Sequence, residues 1–169
     1  MKFVASQMSL TQWHSPLGVI YLACSPKGLT GLWFEDSAHR PDMQAWSKHT
    51  TPLHAQAIGQ LSAYFSAELT TFSLPLDLDS GTNFQRAVWR ALLELPYGTT
   101  ASYGALSARI DRPRAVRAVG SAIGRNPLSI IVPCHRVVGA DGSLTGYAGG
   151  LSRKTALLRL EGALAGGQD

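Results

Sequence analysis

At Asp79-Ser80-Gly81 the chain changes its hydrophobic period and its charge sign together. Before this point short apolar runs are broken by turn chemistry; after it, apolar residues recur at helical spacing. Residues 1–80 carry a net charge of −2 and residues 81–169 a net charge of +6. Such a switch excludes a single repeating architecture. It predicts a sheet-bearing N-terminal domain over 1–80 and a mostly helical C-terminal domain over 81–169.

In the first half, Ser9 to His14, Gly18 to Cys24 and Leu29 to Phe34 read as strands. Ser15-Pro16-Leu17-Gly18 and Ser25-Pro26-Lys27-Gly28 between them are turn sequences, so an antiparallel meander is expected. Residues 35–52 read as a polar loop. Leu53, Ala57, Leu61, Tyr64 and Phe65 recur at helical spacing and predict a helix over 53–67. Phe72, Leu74, Leu76 and Leu78 alternate, but Pro75 reduces them to an edge strand or an extended linker.

In the second half, Thr82 with Gln85 is a capping-box signature, and Phe84, Val88, Ala91, Leu92 and Leu95 form the stripe that follows. Pro96 and Gly98 end that helix. A second should run from Ser102 to Ile110, and a third from Pro113, at its first position, to Gly124. Three helices on short turns form a helix-turn-helix unit. In the third helix Val116, Val119 and Ile123 should face inward. Arg114, Arg117, Ala118, Ser121 and Arg125 make an outer face of small residues and arginines. Ten of the eleven cations after residue 80 are arginine. This is the footprint of a nucleic-acid partner, favoured over a helix made small only to pack closely.

Leu128 to Val132 reads as a buried strand that ends in Pro133-Cys134-His135-Arg136. A cysteine directly after a strand end, with His135 and Arg136 following it, is well placed for a reactive thiolate. The chemistry alone fits a hydrolase, a redox thiol, an alkyl acceptor or an inert buried cysteine. The two cysteines, Cys24 and Cys134, are too few for a disulfide scaffold. Apolar runs fall short of the roughly 18 residues of a membrane span, and Met1 to Ala5 opens no signal-peptide pattern. An intracellular, cytoplasmic protein is expected.

From Asn126-Pro127 through Pro133-Cys134-His135-Arg136 to Val137-Val138-Gly139, the chain resembles the O6-alkylguanine-DNA alkyltransferases. The resemblance continues through Phe84-Gln85, Val88-Trp89, Gly98 to Gly104, Arg114 to Gly120, Gly146 to Leu151, Lys154, Leu157-Leu158 and Glu161-Gly162. It covers nearly all of residues 82–162 in one collinear order. The N-terminal half is similar only through its strands and the Ser15 to Gly18 turn.

The resemblance implies a ribonuclease-H-like α/β N-terminal domain and a winged helix-turn-helix C-terminal domain. It implies a suicide DNA-repair reaction, in which O6-alkylguanine is flipped from double-stranded DNA and its alkyl group passes to Cys134. His135 would be the base, acting through a water, with Glu161 orienting it. Asn126 would hold the site's turn, and Tyr103 would press on the target phosphate and donate to the guanine ring. Arg117 would fill the gap in the stack from a helix in the minor groove. Ala115, Ala118, Gly120, Ser121, Arg114 and Arg125 would line that DNA face, and Tyr147 would wall the alkyl pocket. Ala148 replaces a hydroxyl residue common in the family, and Gly146 a larger polar one. Cys24, His14, His39, His49 and His54 lack ligand spacing, so no zinc and no cofactor is expected. A monomer acting on DNA is implied; preferred alkyl group, O4-alkylthymine repair and cooperative assembly stay open. A lesion binder without chemistry would lack Cys134, and a winged-helix regulator would lack the Pro-Cys-His-Arg segment.

Overall fold

A computed structural model describes residues 1–164; the rest of the Ala/Gly-rich tail lies outside the described residues. Strands β1 (Ser9–Ser15), β2 (Gly18–Ser25) and β3 (Gly28–Phe34) form the expected meander, each pair antiparallel. A short strand β4 (Ser47–Lys48) adds a parallel edge to β1, in a segment expected to be loop, so the sheet order is β3-β2-β1-β4. Every residue of β3 is buried, because both faces of the sheet are covered. Leu32 and Phe34 face the main core, while Trp33 joins Met8, Leu10, Met43 and Trp46 in a second cluster. Gly31 is required by that arrangement: a Cβ there would lie 2.0 Å from the Trp33 ring.

Helix α1 (Pro52–Phe65) covers the main-core face with Ala57, Leu61 and Tyr64. Its start is a capping box in which His54 replaces the usual glutamate. Thr51 N donates to His54 Nδ1 at 2.9 Å, and His54 N donates to Thr51 Oγ1 at 3.3 Å.

The outer edge of β3 is where the halves meet. Leu29 there donates its N–H to Pro75 O and accepts from Asp77 N, both at 2.9 Å, which binds the extended linker around Pro75 to the strand. Leu32 N donates to Pro127 O at 2.7 Å, and Ser129 N donates to Leu32 O at 3.1 Å. The sheet therefore seats the segment that leads to Cys134, and one hydrophobic core runs through both halves.

The second half is helical: α2 (Asn83–Leu93), α3 (Tyr103–Arg109), α4 (Val116–Gly124) and α5 (Leu151–Leu160). The Thr82–Gln85 capping box is present as expected. Two short strands, β5 (Ala101–Ser102) and β6 (Val137–Val138), pair in parallel. Trp89 Nε1 donates to Ala122 O at 2.8 Å and ties α2 to α4. No helix among the described residues is long and apolar enough to cross a membrane.

Three expectations are corrected. Residues 128–132 are buried but form a tight turn rather than a strand, with Ile130 at φ +73°. The bonds Ile131 N to Ser129 O and Val132 N to Leu128 O close it on itself. Helix α4 begins at Val116, not Pro113; Pro113 lies in the preceding turn and Ala115 caps the helix. Starting there, the helix leaves Val116 40% exposed, and Val119, Ala122 and Ile123 are the inward set.

Leu32 is fully buried on the strand that joins the halves. Leu32→Ala should lower the unfolding free energy by about 2–5 kcal/mol, read from urea melts. A loss below about 1 kcal/mol would show that this edge is not a packed seat.

Candidate active site

Cys134 opens a 3-10 turn (Cys134–Arg136) rather than ending a strand. The turn is fixed from behind by Asn126, whose Nδ2 donates to Val132 O at 2.8 Å and whose Oδ1 accepts from Leu128 N at 3.0 Å. Burial pushes the Cys134 thiol up from its ordinary range; the Asn126 side chain and the Lys154 charge work against this without overcoming it. The flanking cation expected to lower it is engaged elsewhere. Arg136 turns its guanidinium to Glu161, with Nε to Oε2 at 2.8 Å and an Nη to Oε1 at 2.8 Å. Its other Nη donates to Leu95 O at 2.6 Å. The resting cysteine is thus a thiol that needs a base.

His135 is the adjacent side chain and is fully buried. Its Nε2 lies 2.8 Å from Glu161 Oε1. A carboxylate accepts, so Nε2 carries the proton and Nδ1 keeps its lone pair. Nδ1 is buried with no partner among the described residues. Burial lowers the His135 pKa, and the Glu161 charge offsets this only in part, so the ring is neutral at physiological pH.

Glu161 caps the C-terminus of α5 and receives a third donor, Tyr64 Oη at 2.7 Å, from α1 of the N-terminal half. Burial would raise its carboxyl, but hydrogen bonds from His135, Arg136 and Tyr64 outweigh that and hold it at about 2. Lys154, about two turns earlier on the same face of α5, is also fully buried. Its Nζ donates to Val137 O at 2.6 Å, Thr145 O at 2.8 Å and Gly146 O at 3.3 Å, tying the 145–150 loop to β6.

That loop carries Tyr147 and Ala148. With Cys134, Tyr103, Gly120, Ile123 and Gly124 they line a cavity of about 150 Å³. Ala38 and His39 of the N-terminal half complete it, and Ala38 N donates to Ala148 O at 2.9 Å. The Tyr147 hydroxyl is buried without a partner among the described residues. Tyr103 Oη is near Thr145, accepting from its Oγ1 at 3.2 Å. The rim of the cavity is α4, whose far face exposes Arg117, Ala118 and Ser121, with Arg114 and Arg125 at its two ends. Ala115 is half-buried at the cap.

Residues 83–163 match the family described as 6-O-methylguanine DNA methyltransferase, DNA binding domain, and residues 8–78 match its ribonuclease-like domain. The chain belongs to the O6-methylguanine DNA methyltransferase family. Membership makes it a transferase and a DNA-repair protein that works by alkyl transfer. It is 51% identical over 147 residues to the methylated-DNA–protein-cysteine methyltransferase of Mycolicibacterium paratuberculosis, covering 87% of this chain and 88% of that one. It is 49% identical over 148 residues to the Methanosarcina barkeri protein of the same name, covering 88% and 93%. The crystal structure of Mycobacterium tuberculosis OGT in complex with DNA superposes with a TM-score of 0.85 at 47% identity, covering 92% of this chain and 93% of that one.

The structure brings Cys134, His135, Glu161, Asn126, Tyr103, Tyr147 and Ala148 together around one cavity and its backing. It puts the arginines outside it. Two side chains at the site escaped the sequence reading of roles, Tyr64 and Lys154, and Arg136, read as a neighbour of the thiol, serves Glu161 instead. One signal was present. Lys154, Leu157, Leu158 and Glu161 fall at i, i+3, i+4 and i+7, which puts both charges on the buried stripe of α5. Among the described residues no group of three His, Cys, Asp or Glu side chains converges as metal ligands.

Glu161 has a folded pKa of about 2 against an ordinary 4.5, so its contribution to stability is present above 4.5 and is lost as pH falls toward 2. The shift corresponds to on the order of 3 kcal/mol. Urea midpoints measured across that pH interval should fall more steeply for the wild type than for Glu161→Gln. Parallel curves would show that the carboxylate is not held as the geometry indicates.

Proposed function

We propose that the protein binds alkylated double-stranded DNA with α4 in the minor groove. It rotates O6-alkylguanine into the Cys134 cavity and takes the alkyl group irreversibly onto Cys134. The observation that carries this reading is the double use of α4. One side exposes Arg117 beside small residues, and the other side, at Gly120, Ile123 and Gly124, walls the cavity that holds the cysteine. A base leaving the duplex beside Arg117 has a short path to the sulfur. Small side chains let the helix backbone approach a groove, and a planar guanidinium can occupy the gap in the stack.

In the chemical step His135 Nδ1 takes the Cys134 proton through one water, and the buried Glu161 carboxylate stabilises the imidazolium that results. The sulfur attacks the carbon attached to O6. As the S–C bond forms, the C–O6 bond breaks and its electrons pass into the guanine. Tyr103 donates to the ring as charge builds there, which speeds departure of an otherwise poor leaving group. Asn126 keeps the turn from collapsing around the reacting cysteine. The product is a thioether, so each molecule acts once.

The test is mass spectrometry after incubation with duplex DNA carrying O6-methylguanine. One methyl group should appear on Cys134, none on Cys24, and none on the Cys134→Ser variant, which should still bind DNA. Multiple turnover, or methyl on Cys24, would overturn the proposal.

The role of Arg117 has its own measurement. Extrusion from a paired duplex costs a few kcal/mol and less from a single strand. Arg117→Ala should therefore slow single-turnover transfer from duplex O6-methylguanine by about 10- to 100-fold, with much less effect on a single-stranded substrate. Equal slowing on both would leave Arg117 as a phosphate contact.

A further inference from the structure

We infer that Tyr64, on α1 of the N-terminal half, is a positioning residue for alkyl transfer: its hydroxyl fixes the Glu161 carboxylate that orients His135. The inference rests on the reading above, in which His135 is the base for Cys134. Oε1 of Glu161 is shared by three donors, His135 Nε2 at 2.8 Å, an Arg136 Nη at 2.8 Å and Tyr64 Oη at 2.7 Å. Oε2 takes only Arg136 Nε, at 2.8 Å. The histidine therefore competes with the tyrosine for one oxygen, and what the tyrosine withdraws, the histidine does not feel.

Among the described residues the tyrosine donates through its hydroxyl to Glu161 alone. It is fully buried, so no solvent reaches its hydroxyl. Its ring is wedged among Phe65, Phe72 and Tyr97, with centroids 5.5, 5.4 and 6.2 Å away. The hydroxyl is thus aimed by packing rather than by its own torsion. Other titratable and charged groups face this cluster from every side. Glu161 is approached by His135 and Arg136 from the 3-10 turn, by Tyr64 from α1, and by Tyr97 from the segment after α2. Tyr97 donates to Leu160 O at 3.4 Å instead of to the carboxylate. His135 is faced by Glu161, Arg136 and Lys154. Tyr147 stands farther off and feels the Glu161 charge. Of the groups bonded to Glu161, Tyr64 alone is neutral and takes no part in the 3-10 turn, so it can be altered without removing a charge.

Tyr64→Phe removes one donor and keeps the packed ring. The carboxylate charge is then shared by Arg136 and His135 alone, which favours the imidazolium. A proton on Nδ1 blocks the base, so the acid limb of the pH–rate profile moves toward higher pH while the alkaline plateau stays at the wild-type rate. Nitrogen-15 NMR titration of His135 should show its pKa raised by on the order of one unit. Single-turnover transfer should fall several-fold on the acid side of neutrality only. Met43→Ala, which loosens the second core cluster and leaves the packing around Tyr64 intact, should lower the melting temperature and leave the profile in place. Site-specific 3,5-difluorotyrosine at position 64, a stronger donor of nearly native shape, should move the His135 titration the opposite way, so the test survives if Tyr64→Phe does not fold. Coincident titrations for the wild type and the altered proteins would overturn the inference. The NMR arm needs no transfer. A wild type that fails to methylate Cys134 would defeat the functional reading, whereas an unmoved His135 would defeat the role of Tyr64.

Discussion

A carboxylate with no exposed surface sits where α1, the 3-10 turn and the end of α5 converge, and protein donors alone must meet its charge. An unpaired buried charge costs several kcal/mol, so the three segments cannot drift apart independently. Arg136 neutralises the charge, His135 uses it, and Tyr64 brings the N-terminal half into the arrangement. The cavity, the turn behind Cys134 and the orientation of the imidazole all follow from that convergence. It also explains why a thiol held up by burial is matched with a neutral histidine. A resting ion pair in so dry a place would be costly, whereas a proton moved only when substrate arrives is not.

The two halves divide the work less cleanly than their charge does. The basic half supplies α4 and the cysteine turn. The acidic half closes the cavity through Ala38 and His39, and its sheet edge seats residues 127–129. Arg153 adds a further tie. It donates to Leu17 O at 2.8 Å and Gly149 O at 2.9 Å, pairs with Asp36 at 2.5 Å, and lies over the Phe34 ring. Together with Lys154 it anchors the loop that carries Tyr147.

Much of this was legible in the residue order. The meander followed from two Ser-Pro turns, α2 from a capping box, and the family from a long collinear resemblance. What stayed hidden has identifiable causes. Residues 128–132 have the β-branched composition of a strand, yet they make a self-bonded turn around Ile130, because β3 needs only a bridge there. Pro113 is a good first residue for a helix, but the backbone closes a turn from Ala115 N to Arg112 O before α4 begins. Tyr64 looked like one more aromatic on an apolar stripe, since no local pattern reveals that a hydroxyl meets a carboxylate from the far end of the chain. Arg136 was visible in the motif, but its direction was not: a 3-10 turn aims it inward, where an extended segment would have sent it elsewhere.

Tyr64 and Glu161 are 97 residues apart. The donor and its acceptor can meet only after the end of α5 has left the ribosome. Contacts of such long range form late, once local helices and the meander are in place. The sheet and α4 can therefore take shape during synthesis while His135 still lacks its carboxylate. The cluster around Glu161 closes only when the end of α5 docks.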